Sequence, residues 1–163
     1  MKINRGLIKK YPWRMNWAQR TGIIASAIPR KMSVLDLGGG FCNLYKHLKE
    51  CRRYVSLDLE EWTDATVKID FNKDKLPEME QFDYLVCQGT LEYLNEPEKF
   101  LRDIRKYGGI LLLTYWFEKL ADGKWRNKLN PDEFKDILRK AGWMIVFERS
   151  VSGRQKLFYC VKI

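Results

Sequence analysis

The stretch Ser33-Val34-Leu35-Asp36-Leu37-Gly38-Gly39-Gly40-Phe41-Cys42 decides how this chain is read. An apolar run that holds one acid and opens into three glycines is a buried β-strand delivered into bare backbone. Glycine reaches conformations closed to other residues and lets a ligand approach the main-chain N–H groups. Such a turn after a first strand is where an α/β sheet meets a nucleotide-type ligand. The dinucleotide fingerprint Gly-x-Gly-x-x-Gly, started at Gly38, needs glycine at position 43, where this chain has Asn43. That departure, together with the absence of a second catalytic domain, argues against a nicotinamide dehydrogenase.

Outward from this stretch, the next apolar run, Tyr54-Val55-Ser56-Leu57-Asp58, ends in a second acid. A carboxylate closing a second strand can accept from both hydroxyls of a ribose. With Val34–Gly40 and Asp58 together, the segment resembles motif I and its following acid in the class I S-adenosylmethionine-dependent methyltransferases. It departs from that pattern at Cys42, where a third glycine is common. The resemblance implies S-adenosylmethionine as cofactor, with Asp36, Gly38, Gly39 and Gly40 at its methionine part and Asp58 and Leu59 at its ribose.

The run Ala65–Phe71 reads as a third strand with an acid at its exit. Asp70 there can accept from an exocyclic adenine amine while Phe71 lies against the ring; the alternative is an Asp that simply forms a turn with Asn72. A fourth strand over Phe82–Cys87 breaks into Gln88-Gly89-Thr90. In the resembling family that strand end lies under the methyl group, which makes Gln88 and Gly89 the floor of the site. Tyr93 and Glu92 follow as candidates to orient or deprotonate an acceptor. A phenol with an ordinary pKa of about 10 is a poor base unless its surroundings lower it, and a carboxylate at a helix start is often a cap.

Composition bounds the rest. At 163 residues, 45% hydrophobic and 13% aromatic, the chain is expected to form one folded domain, 1–163, with a basic arm and helix over 1–31 and a cofactor-binding core over 32–163. The longest apolar stretch, Ile110–Phe117, is too short for a membrane span, and the start lacks a signal-peptide pattern, so a cytoplasmic location is expected. Cys42, Cys51, Cys87 and Cys160 are scattered and His47 is the only histidine, so neither a metal site nor a disulfide framework is expected. Eight basic residues and no acid lie in 1–31, which accounts for nearly all of the net charge of +9. The arm is either a partner surface for RNA, an acidic sugar or an anionic membrane face, or a solvated basic helix face.

Trp13, Trp17, Ile24 and Ile28 recur as one face of a helix ending before Pro29, expected to pack on the sheet edge or to cover the ligand pocket. A helix over Asn43–Cys51 is expected after the glycine turn. Pro97 opens another, closed by Gly108-Gly109, before a buried strand Ile110–Trp116. Asn130-Pro131-Asp132-Glu133 reads as a capped helix start running to Lys140, and Trp143–Glu148 and Lys156–Ile163 read as a hairpin. The fold class is α/β: a Rossmann-like doubly wound sheet of seven strands, mostly parallel with a C-terminal antiparallel hairpin, and helices on both faces.

Leu91-Glu92-Tyr93-Leu94 and Trp125-Arg126-Asn127 resemble segments of small bacterial methyltransferases often associated with surface-glycan biosynthesis. That group often has histidine after the asparagine, where this chain has Lys128. The resemblance implies a small-molecule or glycan-like acceptor met by Trp116, Trp125, Arg126, Asn127 and Lys128. The alternatives are an RNA methyltransferase using the basic arm and a non-catalytic protein that binds S-adenosylmethionine or serves as a scaffold. The strand end Cys87-Gln88-Gly89-Thr90 differs from the Asp/Asn-Pro-Pro-aromatic run used for exocyclic amines.

Overall fold

Alternation along the central strands gives the sheet two apolar faces. The computed structural model describes residues 1–2, 4, 6, 18–117, 125–153 and 155–163. Trp13, Trp17, the basic residues Arg5, Lys9, Lys10 and Arg14, and positions 118–124 of the connection after the fifth strand lie outside the described residues. The strands are β1 (Ser33–Leu37), β2 (Arg53–Asp58), β3 (Thr66–Lys68), β4 (Tyr84–Gln88), β5 (Ile110–Trp116), β6 (Trp143–Ser152) and β7 (Gln155–Lys162), in the order β3-β2-β1-β4-β5-β7-β6. β1 to β5 pair in parallel, while β7 runs antiparallel between β5 and β6. This is the expected seven-stranded, doubly wound arrangement.

Val34, Tyr84, Val86, Leu112 and Leu157 face one layer, where helix α1 (Ala18–Ser26) and the short helix α2 (Asn43–His47) bring Ile24 and Leu44. Leu35, Leu37, Leu85, Cys87, Leu111 and Leu113 face the other, covered by α3 (Pro97–Asp103) and α4 (Pro131–Lys140) through Leu101, Phe134 and Leu138. Burial on both faces explains why β1 and β5 read as almost continuous apolar runs. α1 lies on the sheet face over its central strands, not at an edge, because Ile24, Ala25 and Ile28 match the Val34 side of that alternation.

Several expected boundaries move, among them the helix opened by Pro97, which ends at Asp103 and passes into a 3-10 turn over Ile104–Tyr107 before Gly108. The helix after the glycine turn ends at His47: Leu48 turns extended, and Glu50 takes a left-handed conformation (φ 53°) and accepts from Lys31 N. β3 spans three residues, because Asp70 turns the chain by accepting from Asn72 N at 3.0 Å. The hairpin strands extend further, to Ser152 and from Gln155. α4 starts as read: Asn130 Oδ1 accepts from Asp132 N and Glu133 N, and Glu133 returns the bond to Asn130 N. Among the described residues no helix is long and apolar enough to cross a membrane, and no cluster of His, Cys, Asp or Glu is placed to hold a metal ion.

Candidate active site

The carboxyl ends of β1, β2 and β4 open onto a cleft of about 190 Å³. Its middle is the glycine turn, where Gly38 (φ 81°) and Gly40 (φ 51°) take the left-handed backbone. A Cβ on Gly38 would lie 2.0 Å from Thr90 Oγ1, which donates to Leu37 O and ties the exit of β4 to that of β1. A Cβ on Gly39 would meet Ser56 Oγ and Asp36 Oδ2, whereas Gly40 faces open space. Cys42 is also left-handed (φ 52°), with its buried sulfur among Gly40 O, Thr63 Oγ1 and Thr66 Oγ1. The backbone of a third glycine is thus kept by a thiol-bearing residue.

Asp58 stands at one side of this turn. One carboxylate oxygen accepts from Gly40 N at 2.9 Å; the other accepts from Trp62 Nε1 at 2.7 Å and Glu60 N at 3.3 Å. These bonds aim the carboxylate along the cleft and leave it lone-pair capacity. Leu59 beside it keeps an exposed apolar side chain on the rim. Asp70 and Phe71 also line the cleft, but Asp70 is held below the ordinary carboxylate range by Asn72 N and Lys73, and the Phe71 ring packs on Phe100 at 4.9 Å. The turn reading of Asp70 is therefore realised, at a position that also lines the cleft.

Asp36 is not on the wall. It lies fully buried under Gly39, where Oδ2 accepts from Tyr54 Oη at 2.6 Å and Oδ1 has no hydrogen-bond partner among the described residues. Burial pushes its pKa up to about 7, opposed by the Tyr54 bond and raised further by Asp58.

Gln88, Gly89 and Tyr93 line the other end of the cleft. Glu92 does not: it is 1% exposed, with Oε1 accepting from Trp116 N at 3.0 Å and its main-chain carbonyl accepting from Arg126 N at 2.8 Å. Its pKa is pushed up to about 7, again by burial. Asn127 donates to Leu91 O and Leu94 O and accepts from Tyr115 Oη. These bonds clamp the returning chain onto the turn after β4. Trp116 and Trp125 stay half-buried, and Arg126 and Lys128 are exposed.

The sequence pattern of a family described as a methyltransferase domain matches residues 16–148, most of the chain and all of this cleft. This chain is a member of that methyltransferase family. A methyltransferase from Aquifex aeolicus, described as dependent on S-adenosylmethionine, is structurally similar (TM-score 0.73, 19% identity, 99% of this chain and 100% of that one). So is the Burkholderia thailandensis 1,6-didemethyltoxoflavin-N1-methyltransferase bound to S-adenosylhomocysteine (TM-score 0.71, 18% identity, 94% and 81%). A Haloferax volcanii methyltransferase in complex with the Trm112 activator has a TM-score of 0.73 at 16% identity, over 94% and 92%. No curated protein matches the sequence.

S-adenosylmethionine is the cofactor of this methyltransferase, and the residues present fit it. Gly40 leaves backbone open beside the cleft, and Asp58 presents a carboxylate at the strand end where ribose hydroxyls are read. Residues the sequence reading did not assign also line the cleft. Asn72 lines the cleft, donates to Tyr93 O and accepts from Asn95 N, which joins the β3 exit to the β4 turn. Arg20 and Thr21 of α1 enter it, with Thr21 Oγ1 donating to Gln88 Oε1 at 3.3 Å. An isolated Asn or an Arg within a basic arm carries no local signal for either role.

Proposed function

We propose that this methyltransferase acts on a small-molecule or glycan-like acceptor that enters beside Gln88, Gly89 and Tyr93. The observation that carries this reading is the clamp: Glu92 and Asn127 hold Trp116 and the 125–128 segment against the turn after β4, the turn that brings Gln88, Gly89 and Tyr93 to the cleft. A cleft of about 190 Å³ suits a compact acceptor better than a duplex or folded RNA. When bound, the cofactor supplies an electrophilic methyl group on a sulfonium. The chain's own task is to hold the acceptor atom in line with it and to exclude water.

In this reading Asp58 and Leu59 hold the ribose side, the Gly38–Gly40 backbone the methionine part, Asp70 and Phe71 the adenine side, and Gln88–Gly89 the floor. Asp36 acts from beneath the turn. Tyr93 orients the acceptor, while Glu92 positions the Trp116 backbone. Trp125 offers a flat surface and Arg126 and Lys128 offer donors, a combination that suits a sugar ring or an acidic group on it. The whole of 1–163 is one methyltransferase-like domain in this proposal, and the four free cysteines suit the reducing cytoplasm.

Incubation of the protein with methyl-labelled cofactor and separated cell fractions tests the reading. Label entering the low-mass or glycan fraction is expected. Label entering RNA would move the acceptor assignment to the basic arm, and cofactor binding without any transfer would favour a scaffold.

A further inference from the structure

A second pocket, of about 400 Å³, lies beside the cleft, between the segment after β3 and helix α3. It shares Phe71, Asn72 and Leu94 with the cleft and includes none of Gln88, Gly89 and Tyr93. Asn72 forms the partition: its side chain donates to Tyr93 O at 3.0 Å and accepts from Asn95 N at 2.8 Å. Further along, Lys106 Nζ donates to Leu76 O and Tyr107 Oη to Pro77 O, so the 72–77 segment is tied down at both ends. The pocket is thus formed before any ligand arrives, and its size falls in the range of about 300–1,000 Å³ typical of small-molecule sites.

Its walls combine an apolar floor with a rim of balanced charge. Phe100 and Leu94 are buried beneath it, and the Phe71 ring meets Phe100 at 4.9 Å. On the rim, Lys73, Lys75 and Lys99 are offset by Asp74, Glu96 and Asp103. Lys73 Nζ lies 3.2 Å from Asp70 Oδ2 and Lys99 Nζ 3.8 Å from Glu96 Oε2, while Asp74 Oδ2 accepts from Asp70 N at 2.8 Å. Lys75 and Asp103 are exposed, and neither side chain is engaged in an ion pair or hydrogen bond among the described residues. One donor and one acceptor therefore stand open over apolar carbon, with no net charge around them. We propose that this pocket binds a neutral sugar unit. Sugar hydroxyls both donate and accept, and the C–H face of the ring lies on aromatic carbon, whereas a phosphate or carboxylate would meet the three acids along with the three lysines. The proposal does not depend on which acceptor is methylated.

Amide chemical shifts locate the ligand without an activity assay or a bound cofactor. The probes are maltose and N,N′-diacetylchitobiose as neutral sugars and glucose 6-phosphate as an anionic one. At least one neutral disaccharide should move the amide signals of 72–76 and 95–103 saturably, while those of Gly38–Gly40 and Asp58 stay in place. The double variant Lys75→Ala with Asp103→Ala, at two exposed positions, should keep the wild-type Tm and weaken that sugar about tenfold or more. Asn95→Trp keeps the main-chain bond to Asn72 and adds bulk to the pocket wall, so it should abolish the shifts. Glucose 6-phosphate bound more than about tenfold tighter than both neutral sugars would make the pocket an anion site and overturn the proposal. Shifts confined to the cleft, no saturable shift with either neutral sugar, or wild-type affinity in both variants would overturn it as well.

Discussion

Tyr54 donates its phenolic hydrogen to Asp36 across 2.6 Å inside the sheet, directly under the glycine turn. The carboxyl group it serves is fully buried and sits near a pKa of 7, well above its ordinary value of 3.8. The folded protein therefore keeps a proton on Asp36 between about pH 4 and pH 7, where the unfolded chain releases it. The unfolded state then binds fewer protons, so this group's contribution to stability falls as pH rises through that window. Glu92, raised to about 7 from 4.5, acts in the same direction. Asp36→Asn and Glu92→Gln should each remove part of that fall, so the variant-minus-wild-type difference in Tm grows from pH 4 to pH 7. Carboxylates held low, such as Asp83 and Glu148, slope the other way but cancel in the difference. A difference that stays flat across the window contradicts the assignment.

Loss of the phenol itself is a separate measurement. Tyr54→Phe leaves a buried carboxyl without its donor and should cost about 1–3 kcal/mol in urea unfolding. Retention of wild-type stability would mean that Asp36 is served by another donor.

Asp58 carries three main-chain and side-chain donors before any ligand arrives. Asp58→Ala should weaken S-adenosylmethionine binding by about 1.5–3 kcal/mol, the scale of charged hydrogen bonds to the ribose. Calorimetry on folded variant reads this directly, and unchanged affinity would remove Asp58 from the cofactor site.

The glycines differ in what a methyl group would meet. Gly38→Ala combines a left-handed backbone with a clash on Thr90 Oγ1 at 2.0 Å and should lower stability by about 1–3 kcal/mol. Gly40→Ala meets no neighbour, so its cost is confined to the backbone while the added methyl intrudes on the cleft. Thermal unfolding should rank Gly38→Ala as the less stable protein, and cofactor titration should show a loss for Gly40→Ala. Thr90→Ala in the Gly38→Ala background should recover part of the stability; no recovery would place the strain elsewhere.

Asn127 and Trp125 stand two residues apart with different employment. Asn127→Ala removes the side-chain donor to Leu94 O and one of two donors to Leu91 O, which keeps Leu94 N, and should cost about 1–3 kcal/mol in stability. Trp125→Ala should keep Tm near that of the wild type while changing methyl transfer to the acceptor. The reverse pattern would make Trp125 the clamp and free Asn127 for the acceptor.

What could be seen in the sequence was what depends on local backbone chemistry. Asp36 through Gly40, the acid at Asp58, the cap Asn130-Pro131 and the apolar run Ile110–Trp116 all appear where the residues place them. The helix after Asn43 was over-extended because Leu48 and Cys51 continue an apolar spacing that the chain does not use for helix; Leu48 turns extended instead. Asp36 reads as a ligand residue, yet alternation along β1 sends it to the α1 side, beneath Gly39. Arg20 and Gln155 lie near opposite ends of the sequence, and only the packing of α1 over the central strands brings them together, the Gln155 amide oxygen accepting from Arg20 Nη1 at 2.9 Å. No window of residues contains that meeting.

The position of β7 also sets an order in time. A chain emerges from the ribosome N-terminus first. Arg20 is therefore synthesised early, whereas Gln155 belongs to the last strand, which must enter between β5 and β6. Until it does, β5 presents an open edge to any strand nearby. The strands that open onto the cleft, β1, β2 and β4, all precede β7 in the chain, so the Gln155 contact that reaches Arg20 can form only after the cleft's own residues have been made.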